Sequence, residues 1–228
     1  MKLDKLIKYL KNFSNKKNPD SEKRIFFDVL GSNIPGYIYC VVLFTTTMNK
    51  LGYRIDYQIG KNQEELVRLY SFNAVKFYIV SKYSLLKYLP KIILLNIMKF
   101  PSFFSMNKLF NMYIDGIYVG DLIYDDFNRR EEQPSLRRIN LKYLKKINEG
   151  FFYYCYYSDI FKNNVYEYTA LNHNCYIRNG LLGRIANRHG SKAITVSGDY
   201  LGIVSRKLYP DEAVFEFKSI LNQFLFKE

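Results

Sequence analysis

From Arg24 onward the apolar residues fall into short runs separated by polar or glycine-containing breaks, and the length and period of each run distinguish strand from helix. Ile25 to Leu30 reads as a buried strand, and Gly31 to Gly36 (GSNIPG) as its turn-rich exit. Tyr37 to Leu51 has the length and periodicity of a helix, closed by Gly52. Arg54 to Ile59 predicts a second strand, Glu64 to Phe72 a helix and Val75 to Val80 a third strand. Leu85 to Lys108 predicts one or two helices interrupted at Pro90 and Pro101, because proline removes a backbone donor and crowds the preceding turn.

A helix is expected to begin near Val119, and a strongly basic helical stretch runs from Ser135 to Ile147 and onward. Phe151 to Tyr157 (FFYYCYY) reads as core and interface packing in preference to a stacking platform. Leu171 to Val196 reads as a polar loop, a helix whose glycines allow close packing, and a strand from Lys192. Asp211 to Phe226 predicts a closing amphipathic helix. Strands alternating with helices define an α/β class: a three-layer Rossmann-like domain with a mainly parallel sheet and helical additions. Such sheets bind ligands at the carboxyl ends of their strands.

Ahead of this domain, which spans residues 23–228, residues 1–22 form a separate unit. Leu3, Leu6, Ile7, Leu10 and Phe13 share one helical face, with Lys2, Lys5, Lys8 and Lys11 on the others. Such a helix packs on its own domain or a partner, or lies on an anionic membrane surface. Ser14 to Glu22 is a polar linker.

The chain has 228 residues, enough for one well-buried domain with a small appendage. A formal net charge of +13 implies attraction to polyanions: nucleic acid, anionic lipid or phosphorylated carriers. No nucleic-acid-binding motif accompanies it, which disfavours that partner. Cys40, Cys155 and Cys175 are odd in number and form no CxxC pair, which fits a reducing, cytoplasmic compartment. No secretory leader is expected, since lysines alternate with apolar residues in MKLDKLIKYLKNF, and no membrane span, since Lys87, Pro90, Lys91, Asn96 and Lys99 interrupt the most apolar stretch, Leu85 to Phe100.

Chemistry concentrates in two segments. In YIDGIYVGDLIYDDFNRR, Tyr113 to Arg130, Asp121 and Asp125 lie one helical turn apart, with Arg129 a further turn on. One reading is electrostatic: acids complement the helix amino terminus, and an Asp125 to Arg129 pair adds a few tenths of a kcal/mol. The other makes an acid, preferably Asp121, an acceptor for sugar hydroxyls or a general base. The GSNIPG loop, through Ser32, Asn33 and Gly36, is a candidate binding element at the first strand's end, or a plain strand-to-helix turn. In the second segment His173 opens a helix containing Tyr176, Gly180 and Arg184, as a cap or as a chemical group. His189 is expected exposed near that helix's end. No metal or other cofactor is expected: the histidines and cysteines lack ligand spacing, and Asp125-Asp126 is not DxD.

The segments Gly116-Ile-x-x-Gly120-Asp121-Leu-Ile-Tyr124-Asp125 and His173-x-x-Tyr176-x-x-x-Gly180-x-Leu-x-Arg184 resemble the amino-terminal half of bacterial capsule and O-antigen biosynthesis proteins, glycosyltransferase-like proteins of the two-Rossmann-domain GT-B type. The resemblance covers Arg24 to Val196. It implies the acceptor-binding half of a sugar transferase, while the Leu3 to Phe13 stripe and the excess positive charge separately lead to the expectation of a cytoplasmic protein peripherally associated with the membrane. Its partners would be a saccharide acceptor, lipid-linked acceptors included, and a separate donor-binding domain or chain. It also implies catalytic roles for Asp121 and His173, with Asp125, Tyr176 and Arg184 at the substrate. In the family the histidine faces the interdomain cleft, commonly after an acid; here Asn172 precedes it, removing a possible carboxylate partner. Because 228 residues do not accommodate two such domains, a fragment, a split half or a non-catalytic binding protein is expected, inactive in transfer alone. A basic nucleic-acid binder and a membrane-surface scaffold are the competing readings.

Overall fold

The computed structural model describes residues 22–29, 35–60, 74–131, 140–173, 175–196, 201–204 and 214–216. The expected helices over 3–13 and 64–72, the linker before Glu22, and Ser32 and Asn33 of the GSNIPG loop lie outside these residues. The strands are β1 (Arg24–Asp28), β2 (Arg54–Gly60), β3 (Ala74–Val80), β4 (Tyr113–Ile114), β5 (Ile117–Tyr118), β6 (Tyr168–Leu171), β7 (Lys192–Val196), β8 (Leu201–Val204) and β9 (Val214–Glu216). The helices are α1 (Pro35–Lys50), α2 (Lys82–Lys99), α3 (Met106–Phe110), α4 (Gly120–Glu131), α5 (Leu141–Lys162) and α6 (Leu181–Arg188).

Seven strands form one sheet in the order β3-β2-β1-β6-β7-β8-β9. The first five are mutually parallel, and β8 and β9 extend the sheet antiparallel. Strands buried at nearly every position need cover on both faces, and β1 shows how it is supplied. Ile25 and Phe27 point into a core shared with Val41, Val42 and Phe44 of α1. Phe26 points into the opposite core, built with residues of α2 to α6. The result is a three-layer, Rossmann-like α/β domain.

Besides β8, which no sequence run announced, four features differ from the sequence expectation. Helix α2 runs through Pro90 without ending there. Pro90 and Leu86, whose carbonyl loses its helical partner, are both on the exposed side, where water satisfies the freed acceptor. The second interruption is present: α2 ends at Lys99, and Pro101 lies in a 3₁₀ turn over Phe100–Phe104. Within the expected closing helix Asp211 to Phe226, residues Val214–Glu216 are instead a strand paired with β8, because alternation over three residues serves an edge strand as well as a helix. The third difference is β6, a central strand of only four residues, and the fourth is the β4–β5 hairpin. The hairpin turns at Asp115 and Gly116, both with positive φ (48° and 77°), the conformation that favours Asp-Gly in two-residue hairpins. The basic stretch from residue 141 on and the aromatic run form one helix, α5, opened by Asn140, whose side chain accepts from the Tyr143 backbone N–H at 2.9 Å.

Candidate functional site

The connection from β1 to β2 passes through α1 on one face of the sheet, and that from β6 to β7 through α6 on the other. Strands β1 and β6 are neighbours and their connections run to opposite faces of the sheet, the position at whose carboxyl end such sheets usually carry a ligand crevice. Asp28 ends β1 on one side of it, and His173 follows β6 by two residues.

Below the crevice the side chains form a polar chain. Asp28, the last residue of β1, is fully buried, and its Oδ2 lies 3.1 Å from Nε of Arg178. The same Nε donates to Oδ1 of the buried Asn179 at 3.1 Å. A guanidinium only donates, so it fixes which end of the amide faces it. The Asn179 Nδ2 therefore points to Nε2 of His173, 3.1 Å away, and donates to it. That bond requires neutral imidazole with its proton on Nδ1, which faces the Cys175 thiol at 3.4 Å. Burial lowers the His173 pKa, reinforced by the cations Arg178 and Arg129, so the neutral form is favoured. The arrangement superficially matches a Cys-His-Asn nucleophile, but Nδ1 already carries the proton and burial raises the Cys175 pKa. The thiol is not activated.

The backbone is strained here. Tyr176 has φ 61°, a left-handed conformation uncommon for a bulky residue, and it opens a single π-helical turn over Tyr176–Gly180 that runs into α6. The ring of Tyr176 meets the His173 ring edge-on and carries the Arg129 guanidinium 4.4 Å above its centroid. Arg129 thus reaches Tyr176, where sequence spacing had pointed to Asp125.

Asp121, Asp125 and Arg129 form one stripe of α4, packed against the π turn. Arg184 of α6 grips Asp121 with two hydrogen bonds, of 2.6 Å to Oδ1 and 2.5 Å to Oδ2, and also donates to the Tyr118 carbonyl. With both oxygens so held, Asp121 ties α4 to α6. Asp125 is the open carboxylate: it is exposed, and its pKa is raised by partial desolvation and by Asp121, with Arg184 opposing. Asp126, one residue on, is buried and paired with Lys146 of α5 at 2.8 Å.

Helix α4 can start where it does because Gly120 has no side chain. A Cβ there would lie 2.1 Å from the Leu109 carbonyl oxygen and 2.2 Å from that of Phe110. The expected tight packing by glycine in α6 is milder, since a Cβ at Gly183 would meet its neighbours at an ordinary 3.9 Å. His189 is exposed at the end of α6, as expected there, with its pKa lowered by partial burial and by Arg188.

Among the candidates, His173, Tyr176, Asp121, Asp125 and Arg184 belong to one continuous region along α4, the π turn and α6. Gly36 lies at the start of α1, while Ser32 and Asn33 are outside the described residues. Sequence reading missed Asp28, Arg178 and Asn179. Asp28 carried a signal, being a lone acid at the end of an apolar strand before a glycine-rich exit. Gln58, beside Asp28 on β2, is also buried; its Nε2 donates to the Tyr157 hydroxyl, and its Oε1 accepts no bond among the described residues. Among the described residues no cluster of His, Cys, Asp and Glu is arranged to hold a metal ion. Neither a known protein-family model nor a curated protein matches the chain.

Proposed function

We propose that this chain is the acceptor-binding Rossmann-like domain of a GT-B-type glycosyltransferase of bacterial surface-polysaccharide assembly. The observation that carries the reading is the packing of the two resemblance-bearing segments on each other beside the β1–β6 crevice. Arg184 of the second segment grips Asp121 of the first, and Arg129 of the first covers Tyr176 of the second. In this reading an acceptor saccharide lies over α4 and the π turn. Asp125 accepts a hydrogen bond from its hydroxyl, and Asp121 and Arg184 position the helices that present it.

In transfer, the acceptor oxygen bonds to the anomeric carbon of the donor sugar, the hydroxyl proton passes to a base, and the nucleoside diphosphate leaves. His173 serves as that base once the hydroxyl replaces Asn179 at Nε2. The donor is held by a second Rossmann-like domain. No described helix is long and apolar enough to cross a membrane. We place the protein in the cytoplasm, peripherally attached to the inner face of the membrane, where lipid-linked acceptors lie.

The test is saturation-transfer NMR of the chain with a panel of oligosaccharide acceptors. Binding should weaken about tenfold or more in Asp125→Asn, the scale of one charge-assisted hydrogen bond. With a donor-binding domain supplied, His173→Ala should lower transfer about 10²-fold or more. Binding of no saccharide in the panel, together with tight RNA binding, would overturn the assignment.

A further inference from the structure

Helix α2 turns only a narrow stripe to the interior, with Tyr88 and Ile92 buried. Its outer side is also apolar. Leu86, Leu89, Ile93, Leu94, Ile97 and Met98 are exposed, Ile97 by 67% and Leu86 by 62%. Aromatic rings extend this face at both ends, with Tyr83 75% exposed at the start and Phe104 74% exposed in the 3₁₀ turn. An exposed apolar surface of this extent marks an interaction site.

The surrounding charge identifies the occupant. From Leu66 to Ile114 the sequence contains seven Lys or Arg residues and no Asp or Glu. Lys91 and Lys108 are exposed, and Lys87 leans on Asp159 at 2.6 Å while keeping 61% of its side chain in solvent. A second copy of this face would bring lysines against lysines, with no acid of the segment to offset them. Residues 1–13 carry Lys2, Lys5, Lys8 and Lys11, so their charge also opposes docking here. An anionic lipid surface complements both features: the apolar side chains enter the headgroup–acyl boundary and the lysines meet the phosphates.

We infer that the outer face of α2, continued by the Phe100–Phe104 turn, is the surface by which this protein lies on an anionic bilayer. It lies on the bilayer and does not cross it, since Tyr88 and Ile92 are committed to the core. This inference rests on the peripheral attachment proposed above and assigns that attachment to a particular surface.

The test is co-sedimentation of the full chain with phosphatidylcholine vesicles, with and without phosphatidylglycerol. Wild type should bind the mixed vesicles and detach as salt is raised. The triple variant Leu86→Glu, Ile93→Glu, Ile97→Glu should bind about tenfold or more weakly, with an unchanged thermal midpoint because all three side chains are in solvent. The protein has no tryptophan, so Phe104→Trp gives a single emission reporter, which should shift to the blue on mixed vesicles only.

Wild-type binding abolished by deleting residues 1–13 but retained in the triple variant, with unshifted emission from the Phe104→Trp reporter, would overturn this surface and leave peripheral attachment standing. No binding of wild type to either vesicle would overturn both. A concentration-dependent dimer that the triple variant dissolves, without vesicle binding, would make the face a protein interface and overturn the lipid assignment.

Discussion

Helices α2 and α5 pack against each other and are both rich in large apolar residues, yet they meet opposite fates. Helix α5 buries Phe151, Phe152, Tyr156, Tyr157, Ile160 and Phe161, and Phe151 and Tyr157 reach zero exposure. Helix α2 buries Tyr88 and Ile92 and leaves most of its aliphatic side chains in solvent. The difference lies in their neighbours. The sheet core, α2, α4 and α6 surround α5, whereas α2 sits outside it with α5 on one flank. Hydropathy states how much apolar surface a helix carries; the number of elements around it decides how much of that surface leaves water.

Substitutions separate the two regimes. Phe151→Ala should destabilise the fold most, by about 3–5 kcal/mol, because it empties a packed site; a urea midpoint shift is the measurement. A loss comparable to that of a surface change would show α5 to be more loosely packed than its burial implies. Gly120→Ala, which drives a methyl group into the Leu109 and Phe110 carbonyls at the end of α3, should cost about 1–3 kcal/mol. Asn140→Ala, which removes the cap of α5, should cost about 1 kcal/mol and lower the thermal midpoint.

A pH titration addresses the polar chain from Asp28 through Arg178 and Asn179 to His173. The folded-state pKa of His173 lies below its usual value near 6.5. Its contribution to stability is therefore complete above that value and is lost as pH falls through the folded pKa. Thermal midpoints should decline on acidification over that window, and His173→Gln should flatten part of the decline, the exposed His189 retaining its own smaller share. An identical pH profile in the variant would remove His173 from the linkage. The smallest effect belongs to α2: Ile93→Ser, already half in solvent, should stay within about 0.5 kcal/mol of wild type. A larger loss would mean that the outer face is covered in solution.

Much of the α/β frame was legible because its elements have one clear period each. Ile25 to Leu30 is apolar apart from Asp28, Arg54 to Ile59 alternates Ile55, Tyr57 and Ile59 with polar residues, and Tyr37 to Leu51 repeats at helical spacing. The central strand β6 was illegible because Tyr168–Leu171 is short and adjoins the polar Asn172 and His173, so it reads as the edge of a loop. Its place in the middle of the sheet follows from pairing with β1 and β7, which no local window contains. The same limit applied to the site. Asp121 and Asp125 were visible as a pair, but which of them stays open depends on Arg184, 63 residues further along. Asp28 was overlooked since its partner Arg178 comes from a turn whose π geometry has no simple sequence period.

The strand order also sets a timetable. Ile25 of β1 pairs with Tyr168 of β6, so the junction that completes the sheet's middle joins positions 143 residues apart (168 − 25). On a ribosome, β1, β2 and β3 can assemble early around α1, but the free edge of β1 waits until residues 168–171 have left the exit tunnel. Much of the cover over Phe26 is late as well, because Phe161 and Tyr166 come just before β6 and α6 follows it in the chain. Such a distant closure favours slow folding and a lasting open strand edge during synthesis. A pause in translation before residue 168 would therefore expose the very edge along which the candidate crevice later forms.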